Sequence, residues 1–549
     1  MKTQPSTQPS LCGARSRVLA FVVLLGLLVQ PTPGHADGVT VITHGDNPSG
    51  ASSPTWMASM RDAIATNFLG GAQHYGTITV TGSAGALVAN CSPWNVNLSV
   101  GSNSDIIIVL DWSAVASHTT TGVSAQSVAA TVVDKIATGQ NGQRPLAELP
   151  IHLVGHSRGG GLVCELARLL GERGVVVDHL TPLDPHPLTT KDPQPSTPVI
   201  DTPVAIYENV VFADVYTQTN SYPTGQYIPG GYNRLWGGGL IGGYHNNPWP
   251  YNIYADHRNM MLLYQGTVTL TNPVSNSEAT MGATERAAWF NTYEAAGTNT
   301  GFAYSRLEGG GDRSSTNRPV ANGDAIRAGL NSASGFGGGG ARSKLTWGSA
   351  VWPNVAQLEV LGNGTALGNG TYQITVGTTQ QLRYVYLDYH SGCTLTLHAD
   401  TDRNPYNNND VAVISTKVIA SATGSTYAQN TVAWDTSALT AGMTIFLYAQ
   451  VTDGTRNRFL YATPALRLVA AAKPQPAFVS TRRSGNSLIF TGTNGPPRAT
   501  FRVLESTNVM LPMSQWGPVL TNVFGASGSF AFTNLMSTNA LRAFYRLSY

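Results

Sequence analysis

The sequence contains little charge. Asp, Glu, Lys and Arg make up 11% of its 549 residues, well under the usual quarter. The 32 basic and 30 acidic residues nearly balance, and no long run of Lys or Arg occurs, so we expect no nucleic-acid partner. A hydrophobic content of 42% is enough for real cores and excludes wholesale disorder. Scarce charge with 59 Gly and 31 Pro favours an extracytoplasmic protein rich in strands and loops.

Cysteine and long apolar segments are also scarce. Only four cysteines occur, and Cys12 lies before the first apolar run, which leaves three. An odd number predicts no disulfide framework. The apolar run Val18–Val29 has twelve residues. As a helix it would rise only about 18 Å, which is too short for a hydrocarbon core of about 30 Å.

The first 36 residues have the pattern of a secretory signal. Three basic residues at positions 2, 15 and 17 precede the apolar run, and small residues end the segment at Ala36. This order predicts a cleaved signal peptide over residues 1–36, and an uncleaved membrane anchor is the alternative. No later stretch is long and apolar enough to span a bilayer. We therefore expect a secreted or cell-surface protein with no transmembrane segment after signal removal.

Residues 37–307 alternate short apolar runs with helix-like stretches. Such alternation predicts a mostly parallel sheet covered by helices, which is an α/β domain. The predicted strands are Val39–Ile42, Asp105–Leu110 and Ile151–Val154, and the predicted helices are Pro54–Phe68, Val123–Ala137, Gly159–Arg173 and Glu278–Ala296.

The remainder of the chain has the alternating pattern of strands. Residues 308–345 are rich in glycine and predict a linker. Short strands between turn residues then predict an all-β sandwich over 346–472 and a small sandwich, Ig- or Fn3-like, over 478–549. The predicted strands include Thr371–Val376, Gln381–Tyr386, Thr394–Leu397, Thr444–Val451 and Leu541–Leu547.

A G-x-S-x-G motif lies between the third predicted strand and its helix. Gly155 and Gly159 flank Ser157 at the point where the chain must turn sharply. A strand before and a helix after are the context of a nucleophile elbow, which exposes the serine hydroxyl. We therefore predict that Ser157 is a nucleophile. The alternative is a tight turn in which the serine caps the helix.

A serine hydroxyl needs a base, and the base needs an acid that orients it. In this context the partners follow in the order Ser, acid, His. Asp184 ends a predicted strand 27 residues after Ser157 and is the predicted acid. An Asp-Pro turn is the alternative for Asp184, and Asp178, before the same strand, is the competing acid.

Four histidines follow the elbow in this domain, at positions 179, 186, 245 and 257. His179 precedes a strand, and His186 lies only two residues beyond Asp184. His245 and His257 both come late enough to be the base. His257 is preferred because a helix-compatible run follows it and would hold it in place.

An oxyanion hole needs two preorganised N–H donors. One is expected from Arg158, which follows the nucleophile. The other is expected from the loop after the first strand, Ile42-Thr43-His44-Gly45-Asp46, with the Asp46 N–H as the donor. The Asp46 carboxylate must then point away from the oxyanion.

Together these motifs resemble the α/β-hydrolase superfamily, and specifically its pancreatic-type lipase branch. The resemblance covers residues 39 to 270. It implies a triad of Ser157, Asp184 and His257, oxyanion donors on Asp46 and Arg158, and no cofactor. The matching segments, in order, are Ile42–Gly45, Val109–Ser113, His152–Gly159, Leu183–Pro185, Val211–Thr217 and His257–Arg258.

The expected function is a secreted serine hydrolase that cleaves carboxylic esters of small-molecule or lipid type. One alternative is a polysaccharide deacetylase whose C-terminal β domains bind glycan or the cell surface. The other is a non-catalytic adhesion or scaffold protein on a hydrolase fold. Nine aromatic residues between Tyr216 and Tyr254 predict either a lid or substrate wall, or an ordinary packed excursion.

A weaker pattern lies in the first predicted sandwich. Asp400, Asp402 and Asn404 begin like a calcium loop, but the glycine and the bidentate glutamate of such loops are missing. A polar hairpin loop is the preferred interpretation. No other metal site is predicted.

Overall fold

The computed structural model describes most of the chain from residue 38 onwards. The predicted signal peptide and most of the predicted glycine-rich linker lie outside the described residues. These are 38–47, 52–68, 75–92, 105–140, 144–192, 199–250, 252–290, 301–305, 342–346, 352–361, 364–367, 371–387, 392–419, 428–462, 465–472, 474–536 and 541–549.

The first part of the chain folds around one eight-stranded sheet in the order β3-β2-β4-β1-β5-β6-β7-β8. All neighbours are parallel except the β2–β3 hairpin, so the carboxyl ends of β1, β5, β6 and β7 meet at one edge. The mixed α/β character predicted from the sequence is confirmed. The strands are β1 Val39–Thr43, β2 Tyr75–Ser83, β3 Ala86–Cys91, β4 Ile106–Asp111, β5 Ile151–His156, β6 Val177–Leu183, β7 Val210–Gln218 and β8 Tyr232–Trp236.

Helices cover both faces of this sheet, because apolar side chains point alternately to either side of each strand. On one face Ile108 and Leu153 pack in a cluster with the second and third helices. On the other face Ile107 and Val154 pack with the first and fourth. The helices are α1 Thr55–Phe68, α2 Ala125–Ala137, α3 Arg158–Glu172, α4 Ala255–Val268 and α5 Ala283–Trp289.

The predicted helix over Glu278–Ala296 is wrong at its start. Thr280–Met281 forms a short strand, β10, paired with β9, Val274–Ser275. The helix begins only after Gly282, whose N–H donates to the Glu285 carboxylate at 2.9 Å. Because that carboxylate takes up a backbone donor at the helix start, α5 begins there and has seven residues. Residues 291–300 lie outside the described part.

Strands make up the described C-terminal region. One pair of sheets has the orders β11-β14-β17 and β12-β13-β20-β18-β15-β16, with β19 beside β18, and a second pair has β21-β22-β25 and β24-β23-β26. Their bounds are β11 Asn354–Leu361, β12 Thr365–Ala366, β13 Thr371–Thr375, β14 Thr379–Leu387, β15 Cys393–Asp400, β16 Ala412–Ile419, β17 Ala428–Asp435, β18 Thr444–Thr452, β19 Asn457–Tyr461, β20 Ala465–Val469, β21 Ala477–Ser484, β22 Ser487–Thr493, β23 Thr500–Ser506, β24 Gly517–Val523, β25 Phe530–Leu535 and β26 Phe544–Ser548.

Each of these pairs of sheets encloses a core of its own. Leu382, Leu395 and Leu447 belong to the core of the first pair. Phe490, Phe501 and further phenylalanines fill the core of the second. The sandwich-like strands predicted from the period-two pattern are therefore present.

The core of the eight-stranded sheet continues into the first pair of β-sheets. Phe446, Phe459 and Tyr406 lie in the same buried cluster as Leu149 and Ile151. Arg458 on β19 is fully buried and donates to the Ala147, Leu149 and Val176 carbonyls at 2.7–3.1 Å. The two units thus share one continuous interior.

Over the described residues, no helix combines the length and apolar character needed to cross a bilayer. Cys91, Cys164 and Cys393 form no disulfide there.

Candidate active site

Ser157 lies in the sharp turn between β5 and α3. Its backbone has φ 60° and ψ −127°, which is a strained conformation for a residue with a side chain. A Cβ on Gly155 would lie 2.2 Å from the Gly159 carbonyl oxygen, and one on Gly159 would lie 2.3 Å from the His44 carbonyl oxygen. The two glycines are thus required by close backbone packing, as the motif predicts. The turn places Ser157 in the wall of a cavity.

Asp184 follows β6 directly and is completely buried. Its Oδ1 accepts a hydrogen bond from the Gln218 backbone N–H, and its Oδ2 accepts one from Gln218 Nε2, both at 2.9 Å. His257 Nδ1 donates to the same Oδ2 at 2.5 Å. The predicted acid and the preferred histidine are therefore in direct contact. The competing acid, Asp178, instead lies 2.6 Å from Arg458 Nη2, away from the cavity.

His257 is the third residue of α4 and lines the same cavity as Ser157. Because Nδ1 is engaged by Asp184, Nε2 is the ring nitrogen left to accept a proton. The neighbouring His156 donates from Nε2 to the His257 backbone carbonyl at 2.9 Å. Burial, and next the proximity of the His257 ring, hold the pKa of His156 well below its usual value. A neutral His156 therefore holds the start of α4 against the elbow.

The other candidate histidines have different partners. His245 Nε2 lies 3.0 Å from Asp256, and His186 Nε2 lies 3.1 Å from Asp192. His179 is fully buried and contacts Asp214. Of these three, His186 lines the cavity. The structure thus does not bring His245, the alternative base, to Asp184.

The loop after β1 packs directly against the elbow. A Cβ on Gly45 would lie 2.5 Å from the Ser157 Cβ and 3.0 Å from the Arg158 nitrogen, so only glycine fits there. Trp112 fixes the loop, since its Nε1 donates to the His44 carbonyl at 2.9 Å. This contact holds the segment after β4 against the His44-Gly45 segment.

The Asp46 carboxylate turns toward His118. Its Oδ1 accepts from the His118 backbone N–H at 3.0 Å, and Oδ2 lies 2.9 Å from His118 Nδ1. Within the described residues the Asp46 N–H donates no hydrogen bond. Both of the N–H groups predicted as oxyanion donors, on Asp46 and Arg158, belong to residues that line the cavity.

The Arg158 side chain has a separate, structural role. Its guanidinium is buried and binds Asp201 through two hydrogen bonds of 2.7 and 2.9 Å. It also donates to the Ala116 and Val123 carbonyls. These contacts fix the first turn of α3, so the residue offers only its backbone N–H to the cavity.

The cavity has a volume of about 380 Å³. Apolar side chains line part of its wall, including Trp56, Leu188 and Met261. Charged groups that already have partners surround the remainder, among them Asp192. The hydrogen bond to Tyr222 is one of several that offset its burial and lower its pKa to about 2. Such a site can hold a small acyl group against its apolar wall, beside charged side chains that already have partners within the protein.

The aromatic residues between Tyr216 and Tyr254 separate into two groups. One group is buried in the protein interior, as expected if this segment packs against the core. The other is exposed, and Tyr222 and Tyr254 line the cavity. Tyr251 lies outside the described residues. The buried members are Tyr216, Tyr232, Trp236 and Tyr244, and the exposed members are Tyr222, Tyr227, Trp249 and Tyr254.

The weak calcium candidate folds as a polar loop. Asp400 Oδ1 accepts from the Thr401 and Asp402 N–H groups, and Asp402 Oδ1 accepts from the Asn404 N–H. These are Asx turns, in which the side chain binds its own backbone. Among the residues that the structure describes, no group of three His, Cys, Asp or Glu side chains is arranged to hold a metal.

Sequence reasoning missed Gln218, His156 and Asp201. Gln218 ends β7, and nothing in its sequence context distinguishes it from other strand-end polar residues. Its contact with Asp184 arises because β6 and β7 are parallel neighbours whose carboxyl ends meet. His156 lies inside the recognised motif, at a position where the motif accepts any residue.

Gln218→Met should lower kcat for a reaction at this site by roughly ten- to a hundredfold. The change removes a hydrogen bond to a charged carboxylate, worth about 1.5–3 kcal/mol. The Gln218 amide also holds the turn over residues 220–223. Because Tyr222 and Pro223 of that turn line the cavity, KM should rise as well. Steady-state kinetics with a chromogenic ester would check this. An unchanged kcat, or a rise in KM alone, would show that Gln218 does not position Asp184.

No family model matches the chain, and no curated protein matches it. Solved structures give distant likenesses only. Red sea bream transglutaminase is 10% identical, with a TM-score of 0.18 over 35% of this chain and 29% of that one. A tetra-tandem repeat from the extending region of a large adhesion protein is 15% identical, with a TM-score of 0.16 over 36% and 44%. Bacteroides uniformis beta-glucuronidase 3 is 10% identical, with a TM-score of 0.12 over 35% and 24%.

The chain thus spans less than half the length of each of these proteins. At scores this low the likenesses carry no argument about fold or activity. The case for a function therefore depends on the site itself.

Proposed function

We propose that this protein is a secreted serine hydrolase of the α/β-hydrolase fold that cleaves carboxylic esters. The observation that carries the proposal is the 2.5 Å contact between His257 Nδ1 and the buried Asp184, beside the elbow that holds Ser157. Asp184 and His257, 73 residues apart in the chain, are in direct contact, and His257 and Ser157 line the same cavity. These residues follow one another in the order Ser, acid, His that the motif predicts.

The proposed reaction begins at the Ser157 hydroxyl. His257 Nε2 takes the hydroxyl proton while Oγ attacks the ester carbonyl, and Asp184 stabilises the imidazolium that forms. The N–H groups of Asp46 and Arg158 stabilise the tetrahedral oxyanion. His257 then gives its proton to the leaving alcohol, which leaves an acyl group on Ser157.

Water completes the cycle. His257 removes a proton from a water molecule, which attacks the acyl carbonyl, and the acid leaves as Ser157 regains its proton. No metal or cofactor takes part in this scheme. The cavity of about 380 Å³ has room for an acyl group beside Ser157.

A fluorophosphonate probe tests the proposal directly, because it reacts only with an activated serine. We expect covalent labelling at Ser157, located by peptide mass spectrometry, and hydrolysis of short-chain chromogenic esters by the same preparation. Labelling should be lost in a His257→Ala variant that keeps its circular dichroism spectrum. An unlabelled wild-type protein would instead favour a non-catalytic adhesion or scaffold role.

A polysaccharide deacetylase is the second candidate. The observation that favours it is the pair of exposed tyrosines at the cavity, Tyr222 and Tyr254, since aromatic rings at a cavity mouth can stack on sugar rings. Acetylated xylan and tributyrin distinguish the two candidates. Faster release of acetate from the xylan would favour the deacetylase.

A further inference from the structure

Positive charge is concentrated in the last β-sheet pair, residues 474–549. This segment contains six arginines, one glutamate and no lysine or aspartate. All six arginines are exposed, and within the described residues none of them forms an ion pair. The single acid, Glu505, accepts a hydrogen bond from the Tyr545 hydroxyl at 3.2 Å. The module therefore carries an uncompensated positive charge that the balanced composition of the whole chain conceals.

Several segments of this module meet at one end, which we call the turn end. It comprises the β21–β22 turn, residues 507–516, residues 535–536 and residues 541–543. Strand β23 ends at Ser506, which pairs with Phe544 at the start of β26. The segment that follows β23 and the segment that precedes β26 therefore lie at the same end of the sheet. The Met536 N–H donates to the Asn486 carbonyl at 2.9 Å, which brings the β21–β22 turn to this end too.

The turn end exposes apolar side chains. Met510 is 85% exposed and Leu535 71%, and Leu541 is fully exposed. Val509 and Met513 are exposed beside Met510, and no charged residue interrupts residues 506–516. Isolated exposed apolar residues need no explanation, but a group at one end marks an interaction surface.

Four of the six arginines lie close to these apolar residues. Arg482 and Arg483 directly precede Ser484, the last residue of β21, and Arg483 Nε donates to the Gly485 carbonyl. Arg542 follows Leu541. Arg546 stacks over Trp516, whose Nε1 binds the Leu511 carbonyl in the apolar segment. The remaining two, Arg498 and Arg502, lie toward the opposite end.

We propose that the turn end binds a lipid bilayer that carries anionic headgroups. Exposed apolar side chains can enter the boundary between headgroups and acyl chains, while the arginines contact the headgroup phosphates. A soluble polyanion would be attracted by the arginines, but it would offer nothing to Met510 or Leu541. The combination of both features therefore favours the bilayer. This inference does not depend on the proposed hydrolase activity.

Vesicle flotation with the purified full protein tests the proposal. We expect binding to vesicles of phosphatidylcholine mixed with phosphatidylglycerol, little binding to phosphatidylcholine alone, and release at about 1 M salt, where the Debye length falls to about 3 Å. Arg482→Gln/Arg542→Gln should weaken binding about 25-fold, since each arginine contributes about fivefold. Met510→Ser, which removes the apolar side chain without adding charge, should weaken it by about tenfold.

Matched controls lie at the opposite end of the same module. Arg498→Gln/Arg502→Gln removes the same charge, and Val523→Ser makes the same kind of apolar-to-polar change on an exposed strand residue. Both should bind nearly as the parent does, with all variants sharing one melting temperature. Absence of binding to anionic vesicles would overturn the proposal, and so would equal losses in the test and control variants. Binding to soluble dextran sulfate that is unaffected by Met510→Ser would replace the bilayer with a soluble polyanion.

Discussion

Replacing Ser157 with alanine is expected to lower kcat for ester hydrolysis on the order of 10⁶-fold, as the loss of a triad serine does elsewhere. The physical reason is that Ser157 Oγ is the only group in the proposed scheme that forms the bond to the acyl carbon. Substrate binding should change little, because the cavity walls remain. Initial-rate kinetics with a short-chain chromogenic ester measure the effect.

The fold should survive this substitution. Ser157 has φ 60°, a strained conformation that alanine shares with serine, so the melting temperature should stay within a few degrees. Ser480→Ala, at an exposed position on β21 far along the chain, is the matched control and should keep full activity. Activity retained by Ser157→Ala in a preparation free of contaminants would refute the nucleophile assignment.

Arg458→Met is expected to lower the free energy of unfolding by about 3–5 kcal/mol. The Arg458 guanidinium is completely buried, and its Nη2 lies 2.6 Å from the equally buried Asp178. Methionine can fill much of the space, but it leaves the Asp178 carboxylate without its charged partner. Three backbone carbonyls also lose a donor. Denaturation by urea, followed by circular dichroism, measures the change.

Two further variants test this explanation. Arg458→Met/Asp178→Leu removes both charges and should recover part of the lost stability, because no unpaired charge then stays buried. Arg467→Met, at an exposed position on the neighbouring strand β20, should change stability by no more than about 0.5 kcal/mol. If Arg458→Met were as stable as the parent, the buried ion pair would not hold the first β-sheet pair to the eight-stranded sheet.

Local patterns predicted much of the first sheet and the location of the candidate site. Apolar runs at β1, β4 and β5 identified central strands, since a strand buried on both faces has few polar positions. The glycines around Ser157 indicated a tight turn. Chain order then selected Asp184, because the carboxyl ends of parallel strands lie at the same edge of the sheet. His257 was selected because a histidine follows the acid in the motif's order and a helix-compatible run follows it.

Other elements could not be read in this way. The helix predicted over Glu278–Ala296 includes the β10 strand, because the composition of this segment favours a helix. The strand forms by pairing with β9, which the local sequence does not reveal. The linker prediction extended to 345, yet the Ser343 N–H donates to the Ile206 carbonyl at 2.9 Å, which ties this segment to the first sheet. Such contacts join residues distant in sequence and leave no local pattern.

The aromatic residues before His257 illustrate the same limit. Composition alone could not distinguish a lid from a packed core, and the structure divides them between the two. Tyr216 is buried, whereas Tyr222 is exposed and lines the cavity. Tyr216 lies within β7, which is buried along its whole length, whereas Tyr222 lies four residues beyond the end of that strand.

By itself, the sequence determined which residue types could act and in what order they would reach the sheet edge, because a motif and its flanking periodicity are local properties. Only the tertiary structure decided that Gln218 contacts Asp184, that His156 contacts His257, and that Arg458 pairs with Asp178. It also decided that four arginines lie toward the same end of the last β-sheet pair as Met510. Those arrangements depend on strand neighbours and on burial. Both are set when separate segments pack together and exclude water.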